Sequence, residues 1–234
     1  SSLYGAIKSE FERGLNMNKE WSELNKTMQA QIKKKDTYKM GIDTLFNLRR
    51  QLMQTLVSFK EDLCREDFNA IPFINADGYH SKTIAYSIWH IFRIEDIVAH
   101  TVITEDEQVF FTGNYQVRIN SPIITTGNEL VKQQIADFSK QLNLEELYSY
   151  IFEVRESTEK ILERFSYDEL KWKIPDERKG YLKSLNVVNC DEKAIWLIDY
   201  WCSKDIRGLI QMPFSRHWIM HTEACLRIKN KMHS

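Results

Sequence analysis

The chain has 234 residues, of which 32 are lysine or arginine and 33 are aspartate or glutamate, so its formal charge at pH 7 is −1. This balance leaves no strong field to attract nucleic acid or an anionic membrane, and neither partner is expected. Only 8 glycines and 4 prolines are present, whereas 12 Phe, 10 Tyr and 6 Trp supply bulky core side chains. This composition favours a large domain of long helices over many short strands.

The cysteine pattern and the apolar runs indicate the cellular compartment. The four cysteines are scattered and form no Cys-x-x-Cys pair: Cys64, Cys190, Cys202 and Cys225. A chain of this length can bury a core without disulfides, so a reducing, cytoplasmic environment is expected. No run of about 18 apolar residues is present, so no membrane span is predicted. The N-terminus shows no apolar signal core either.

The N-terminal region carries a helical pattern from about residue 21 to 64. Its second half repeats apolar residues at steps of three and four, the spacing of a buried helix face. The first half is more polar, and it is either a separate helix or an exposed extension. Residues 1–35 are therefore interpreted as an N-terminal helical extension and residues 36–234 as the main domain. Met17 is a candidate native start.

The central region alternates predicted helices and connections. Residues 66–81 are predicted to form a loop, and a second helix is expected from about 81 to 103. Residues 107–126 contain several turn formers and are predicted to be a long irregular connection. A short helix is expected near residues 128–139.

The C-terminal half completes the predicted fold. Asn143 is the expected N-cap of a third long helix, because two glutamates follow it in the first turn. Residues 176–190 are predicted to be a polar connection, followed by helices at about 191–211 and 213–231. These elements predict an all-α fold, a four-helix up-and-down-type bundle with an N-terminal helical extension and a long irregular connection.

The last predicted helix carries three groups that can bind a transition metal. His217, His221 and Cys225 follow one another at steps of four residues. Because each step advances the helix face by only about 40°, the three lie along one side. A fourth candidate, His90, lies in the second predicted helix. One His from one helix and a pair from another can form a three-ligand site for zinc or nickel with an open position.

The same residues have a simpler interpretation. A histidine on an apolar helix is commonly a hydrogen-bonded core residue, and cysteine is a common small core residue. A nucleophilic Cys225–His221 pair is disfavoured because both groups face the core. Glu95 lies about 140° around the helix from His90, so we expect it to pair with a neighbouring helix instead.

Apolar residues at helical spacing are expected to form the core. The predicted core residues are Leu52, Leu56, Ile88, Ile91, Val154, Ile161, Trp218 and Leu226. Trp196 and Trp201 are interpreted in the same way, rather than as a stacking platform for a ligand. The remaining histidines are assigned no function: His100 is structural or exposed, His80 lies in a predicted loop, and His233 lies near the end of the sequence.

Three segments, in this order, carry a resemblance to a known family. Residues 87–95, Ser-Ile-Trp-His-Ile-Phe-Arg-Ile-Glu, combine an apolar run, a histidine and a glutamate five residues later. Residues 143–170 begin Asn-Leu-Glu-Glu-Leu and end Tyr-Asp-Glu-Leu, and residues 217–228 place two histidines four apart before an arginine and an isoleucine. Together they resemble the second, third and last helices of the DinB/YfiT-like superfamily of metal-dependent four-helix-bundle proteins.

The resemblance implies a set of metal ligands. In that superfamily, one histidine of the second helix and two of the last hold a metal, often zinc or nickel. This implies His90 and His221 as ligands, and it puts Cys225 where the family has its third histidine. Cysteine can still bind zinc, His217 can replace it, or the site can be lost. The glycine and glutamine that usually follow the final family histidine are absent here.

The resemblance also implies a class of activity. Members of the superfamily include S-transferases and isomerases that act with low-molecular-weight thiols. A metal-dependent enzyme of this kind is therefore expected, with a small thiol and an electrophile as its partners, and a homodimer is left open. The alternative is a bundle of the same fold that has lost catalysis and acts as a binding or dimerising protein.

Overall fold

The computed structural model describes residues 18–234, and this part of the chain is helical, with no strand. The expected all-α class is therefore observed. The candidate start at Met17 lies outside the described residues. Among the helices within residues 18–234, none combines the length and the apolar character needed to cross a bilayer.

The N-terminal pattern forms two helices, α1 (18–31) and α2 (Tyr38–Asp62). Trp21 and Met28 are buried, so α1 packs into the core and is not an exposed extension. Gly41 lets the turn after α1 approach α2 closely, because a β-carbon there would lie 2.6 Å from Ile32 Cγ2.

The remaining helices follow α2 in chain order. They are α3 (Arg65–Asn69), α4 (Ile84–Asp96), α5 (Val109–Thr112), α6 (Tyr115–Ile119), α7 (Gln133–Gln141), α8 (Leu144–Glu163), α9 (Glu177–Ser184), α10 (Glu192–Cys202), α11 (Ile206–Gln211) and α12 (His217–Met232). Two segments are π-helical, Ile97–Thr104 directly after α4 and Met212–Arg216 directly before α12. Two 3-10 turns are present at Gly78–His80 and Glu169–Lys171.

Side-chain caps fix the starts of two long helices. The Asn143 side chain accepts a hydrogen bond of 3.1 Å from the backbone N–H of Glu146, which confirms the predicted cap of α8. Thr83 caps α4 in the same way, accepting a bond of 3.0 Å from Tyr86 N–H. The α4 helix thus begins after Thr83, slightly later than predicted.

Several predicted connections are wrong in detail. The 66–81 loop contains α3 and a 3-10 turn, the 107–126 connection contains α5 and α6, and the 176–190 connection contains α9. These helices have 4 to 8 residues, too few to display a clear helical period in the sequence. Conversely, the stretch predicted at 191–211 is divided into α10 and α11. Asp205 causes this break, because its side chain caps α11 through Gly208 N–H at 2.7 Å.

Four helices, α2, α4, α8 and α12, surround a common apolar core. Both α2 and α4 contact both α8 and α12. All residues of α4 are buried, so this helix is central. The predicted core residues are buried except Leu226, which is only partly buried at the edge of the cluster. This arrangement places the inward faces of α4 and α12 opposite each other.

Candidate metal centre

Three histidines meet where α4 and α12 pack together. His90 comes from α4, and His217 and His221 come from the first turns of α12. Each offers one ring nitrogen, and these nitrogens lie within 4.8 Å of one another. The Nε2 atoms of His90 and His217 are 3.2 Å apart, and the ring centroids of His90 and His221 are 4.9 Å apart. All three side chains are buried.

Cys225 does not belong to this group. Its thiol is buried beside Ser87, and burial raises its pKa to about 12, so it is a protonated core residue. The reason is rotational, because each step of four residues turns the helix face by about 40°. His217 and His221 lie on the part of the helix surface that faces His90. One further step of four residues turns Cys225 away from His90. The structure therefore brings together His90, His217 and His221.

Hydrogen bonding fixes the tautomer of His90. Its Nδ1 lies 2.7 Å from the backbone carbonyl oxygen of Thr126. A carbonyl can only accept, so Nδ1–H donates and the unprotonated Nε2 points toward His217. The His90 ring also stacks on Tyr86, with centroids 5.4 Å apart. A backbone partner on the second nitrogen is the usual way that a metal-binding histidine is oriented.

Burial keeps the three imidazoles neutral. It lowers the pKa of His90 to about 4, with a smaller lowering from the charge of Lys82. Burial lowers the pKa values of His217 and His221 well below the usual value, and the neighbouring histidines add to the effect. Neutral imidazole is the form that binds a metal ion.

The residues present fit a metal ion. The buried Nδ1 atom of His221 has no hydrogen-bond partner within residues 18–234, and an unpaired buried nitrogen is costly. Two nitrogens bound at about 2.0–2.1 Å in a tetrahedron lie about 3.3 Å apart. The His90–His217 separation of 3.2 Å is close to this value, and in the metal-free protein it is also the length of a hydrogen bond between the two rings. Imidazole is a preferred ligand of both zinc and nickel.

A buried ion pair holds α12 in place beside the histidines. Arg49 of α2 forms two hydrogen bonds with Glu95 of α4, at 2.6 and 2.9 Å. Thr158 of α8 donates to the same carboxylate at 3.1 Å, and Trp218 Nε1 donates to it at 2.9 Å. The expected pairing of Glu95 with a neighbouring helix is confirmed. Because Trp218 directly follows His217, this network fixes the rotation of α12 at the site.

The histidines lie in the wall of a cavity of about 710 Å³. Its other walls come from residues 74–82, from residues 128–132, from α10 and from the π-helical segment before α12. Trp201 and Trp218 are buried as expected, but the core interpretation of Trp196 is wrong. Trp196 is 50% exposed and lines the cavity beside Tyr200, at a ring distance of 5.5 Å.

The remaining histidines lie outside the cluster. His100 is structural, because its ring bonds Asp106 and Ser157 at 2.7 and 2.8 Å. His80 is partly buried next to Tyr79, and His233 is exposed near the end of α12.

Sequence reasoning missed two classes of site residue. Thr126 and Tyr86 orient the His90 ring, and Lys82 and Tyr79 line the cavity. The available signals were weak: Lys82 precedes the α4 cap by one residue, and Tyr79 follows the only glycine of its loop. Nothing in the local sequence around Lys82 or Tyr79 indicates that the residue lies opposite a helix.

Comparison with known proteins adds no assignment. No model of a known protein family matches this chain, and a search of curated proteins finds no relative. The chemistry of the three-histidine cluster and its cavity therefore carries the functional argument.

Proposed function

We propose that this protein is a metal-dependent enzyme of the DinB-like type, in which His90, His217 and His221 hold a zinc or nickel ion. One observation carries the proposal, namely that three buried, neutral imidazoles present ring nitrogens within 4.8 Å of one another. Many catalytic zinc sites have three protein ligands and leave the fourth position open for substrate.

The arrangement of helices supports the family proposal. The histidines come from one central helix, α4, and from the last long helix, α12, with α2 and α8 completing the group. The proposal includes one difference from the family pattern. The family pattern puts the second histidine of the last helix four residues after His221, where this chain has Cys225. Here that histidine is His217, four residues before His221.

The proposed reaction is the transfer of a low-molecular-weight thiol to an electrophile. When bound, the metal supplies Lewis acidity that favours the thiolate form of a thiol. The residues of this chain provide the remaining conditions. Thr126 fixes the His90 ring, and the Glu95 network fixes the helix that carries His217. The aromatic side chains of Tyr79 and Trp196 line the cavity and give a substrate an apolar surface beside the histidines.

Metal analysis tests the proposal directly. The wild-type protein should bind zinc or nickel in a 1:1 ratio after chelation and reloading. His90→Ala, His217→Ala and His221→Ala should each lower metal affinity by at least about 100-fold, because each removes a ligand. The matched control is His233→Asn, which changes an exposed histidine outside the cluster. A wild-type protein that takes up neither metal in excess would overturn the proposal and favour a binding module of the same fold.

Activity is measured separately. Metal-loaded protein should accelerate conjugation of a small thiol with 1-chloro-2,4-dinitrobenzene, and His217→Ala should abolish the acceleration. An undiminished rate in chelator-treated, metal-free protein would contradict the proposed role of the metal.

A further inference from the structure

The charged groups around the histidine cavity are unevenly distributed. The lining includes three lysines, Lys82, Lys132 and Lys193, and one aspartate, Asp77. The chain as a whole is nearly neutral, with a formal charge of −1. The cavity is therefore a local concentration of positive charge, and such a cleft attracts anions.

Two of these lysines have no acidic partner within residues 18–234. Lys193 pairs with Asp191 at 3.3 Å. For Lys82 and Lys132, no carboxylate within residues 18–234 lies inside the 4.0 Å limit of an ion pair. Asp77 is exposed at the rim and neutralises neither of them. The positive charge of the cavity is thus available to a ligand.

Lys82 faces the histidines. Its ammonium lies 5.5 Å from the centre of the Tyr86 ring, which itself stacks on His90. Burial lowers the pKa of Lys82, and its charge contributes to the lowered pKa values of His90 and His221. A partly buried ammonium without a partner is unfavourable, and an anion placed beside it would relieve that cost. The 13-residue helix α4 also begins here with no acidic residue in its first turn.

The cavity also offers an apolar surface. Trp196 and Tyr200 of α10 contact each other and face the cavity together with Met220 of α12. Trp196 is 50% exposed, whereas large aromatic side chains are usually mostly buried. The volume of about 710 Å³ is in the range of small-molecule sites.

We propose that this cavity binds an organic anion, with its anionic group at Lys82 and Lys132 and its apolar part against Trp196 and Tyr200, beside the three histidines. The proposal names the substrate class of the site and rests on the proposed function for the role of the histidines. Carboxylate and phosphate groups share the chemistry that the lysines recognise, and the experiment distinguishes them.

Binding to metal-free protein tests the proposal. Chelator-treated protein is titrated by calorimetry with phenyl phosphate, phenylacetate, neutral benzyl alcohol and the cation benzyltrimethylammonium. Both anions, or one of them, should bind at least about tenfold more tightly than the neutral and cationic probes, because only the anions neutralise the lysines. The tighter of the two anions identifies the preferred group. Equal affinity for the neutral and anionic probes would overturn the proposal.

Matched charge variants locate the site. Lys82→Gln should weaken anion binding by at least about tenfold, the loss expected for one charge-assisted hydrogen bond, and Lys82→Arg should restore most of it. Lys140→Gln removes the same charge from an exposed position on α7 and should leave binding unchanged. Equal binding by Lys82→Gln and Lys140→Gln would overturn the assignment. If Lys82→Gln does not fold, Lys132→Gln and the salt dependence of wild-type binding decide the question in the same way.

The two proposals fail in different ways. Lysine-dependent anion binding by a protein that takes up no metal would support the anion site and overturn the proposed metalloenzyme. Normal metal uptake without lysine-dependent binding, in metal-free protein, would overturn the anion site and leave the metal proposal intact. Binding that appears only after zinc loading and persists in Lys82→Gln would also count against the anion site.

Discussion

Trp218 Nε1 donates a hydrogen bond of 2.9 Å to the Oε1 atom of Glu95, and it does so one residue after His217. The Arg49 guanidinium lies over the same indole ring, and its Cζ atom is 4.1 Å from the ring centroid. Both groups of the bond are buried, so it forms where the local dielectric constant is low. This bond connects the rotation of α12 to α4 and thereby sets which residues of α12 face His90.

Removal of this hydrogen bond should destabilise the protein. Trp218→Phe keeps an aromatic ring but deletes the donor to a buried carboxylate, which should cost about 1.5–3 kcal/mol of unfolding free energy plus a packing loss. Zinc affinity should also fall by about 10-fold or more, because the adjacent His217 is less firmly held. Urea denaturation and zinc titration measure the two effects.

The chain provides a matched control for that change. Trp89 is equally buried, but its Nε1 atom has no hydrogen-bond partner among residues 18–234. Trp89→Phe therefore deletes no hydrogen bond and removes an unpaired donor. It should cost less than Trp218→Phe and leave zinc affinity unchanged. Equal costs for the two variants would mean that the Glu95 hydrogen bond contributes nothing beyond packing.

The Arg49–Glu95 pair should show strong coupling. Arg49→Met leaves the Glu95 carboxylate buried without its main partner, and the expected cost is about 3–5 kcal/mol. The double variant Arg49→Met, Glu95→Leu should be more stable than the sum of the single effects predicts, because no unpaired charge remains. A double-mutant cycle by chemical denaturation checks this. Additive single effects would contradict the expected coupling.

The sequence was sufficient to predict features that depend on local spacing. The helical period indicated the long helices, and the step of four residues placed His217 and His221 on one face. The choice between His217 and Cys225 as the third group needed the rotation of α12, which depends on the distant contact between Trp218 and Glu95. No local pattern contains that information. The resemblance to the family favoured Cys225, whereas the structure groups His217 with the other two histidines.

The remaining differences have similar causes. The polar residues around Trp21 suggested an exposed extension, but a few apolar residues are enough to bury one face of α1. Trp196 has the sequence environment of a core residue, and its exposure follows from the cavity between α10 and the loop around Gly78. The position of Lys82 beside the histidines depends on the path of the same loop. Long-range packing determines all three features.

The reactivity of the cysteines should follow their burial. Cys64 and Cys190 are exposed, and Cys225 is buried with a pKa raised to about 12 by burial. In the native protein, a disulfide reagent should therefore modify the exposed pair and spare Cys225 until the protein is unfolded. Peptide mass spectrometry after timed labelling identifies the modified residues.

Substitution of Cys225 should affect stability and not metal content. Cys225→Ala removes a buried thiol from a packed core and should cost about 1–2 kcal/mol, with unchanged zinc uptake. His217→Ala is the matched test, since it should lower zinc uptake sharply. Loss of zinc in Cys225→Ala with retention in His217→Ala would reverse the ligand assignment.

Acid should destabilise the metal-free protein over a defined pH range. Burial lowers the pKa of His90 from its ordinary value of 6.5 to about 4, and it also lowers the pKa values of His217 and His221. Above pH 6.5 the histidines are neutral in both the folded and the unfolded chain, and stability is unaffected. Below that pH, the unfolded chain binds protons that the folded chain rejects. Stability should therefore be lost as the pH falls from 6.5 toward about 4.

The size of this effect can be isolated with single variants. Each histidine that is protonated only in the unfolded chain contributes a slope of up to about 1.4 kcal/mol per pH unit to the unfolding free energy. His221→Asn should reduce the slope by up to that amount between about pH 6 and 5, where few carboxylates titrate. Urea denaturation at several pH values measures the slope, and identical slopes for His221→Asn and the wild type would show that His221 is not held neutral in the folded protein.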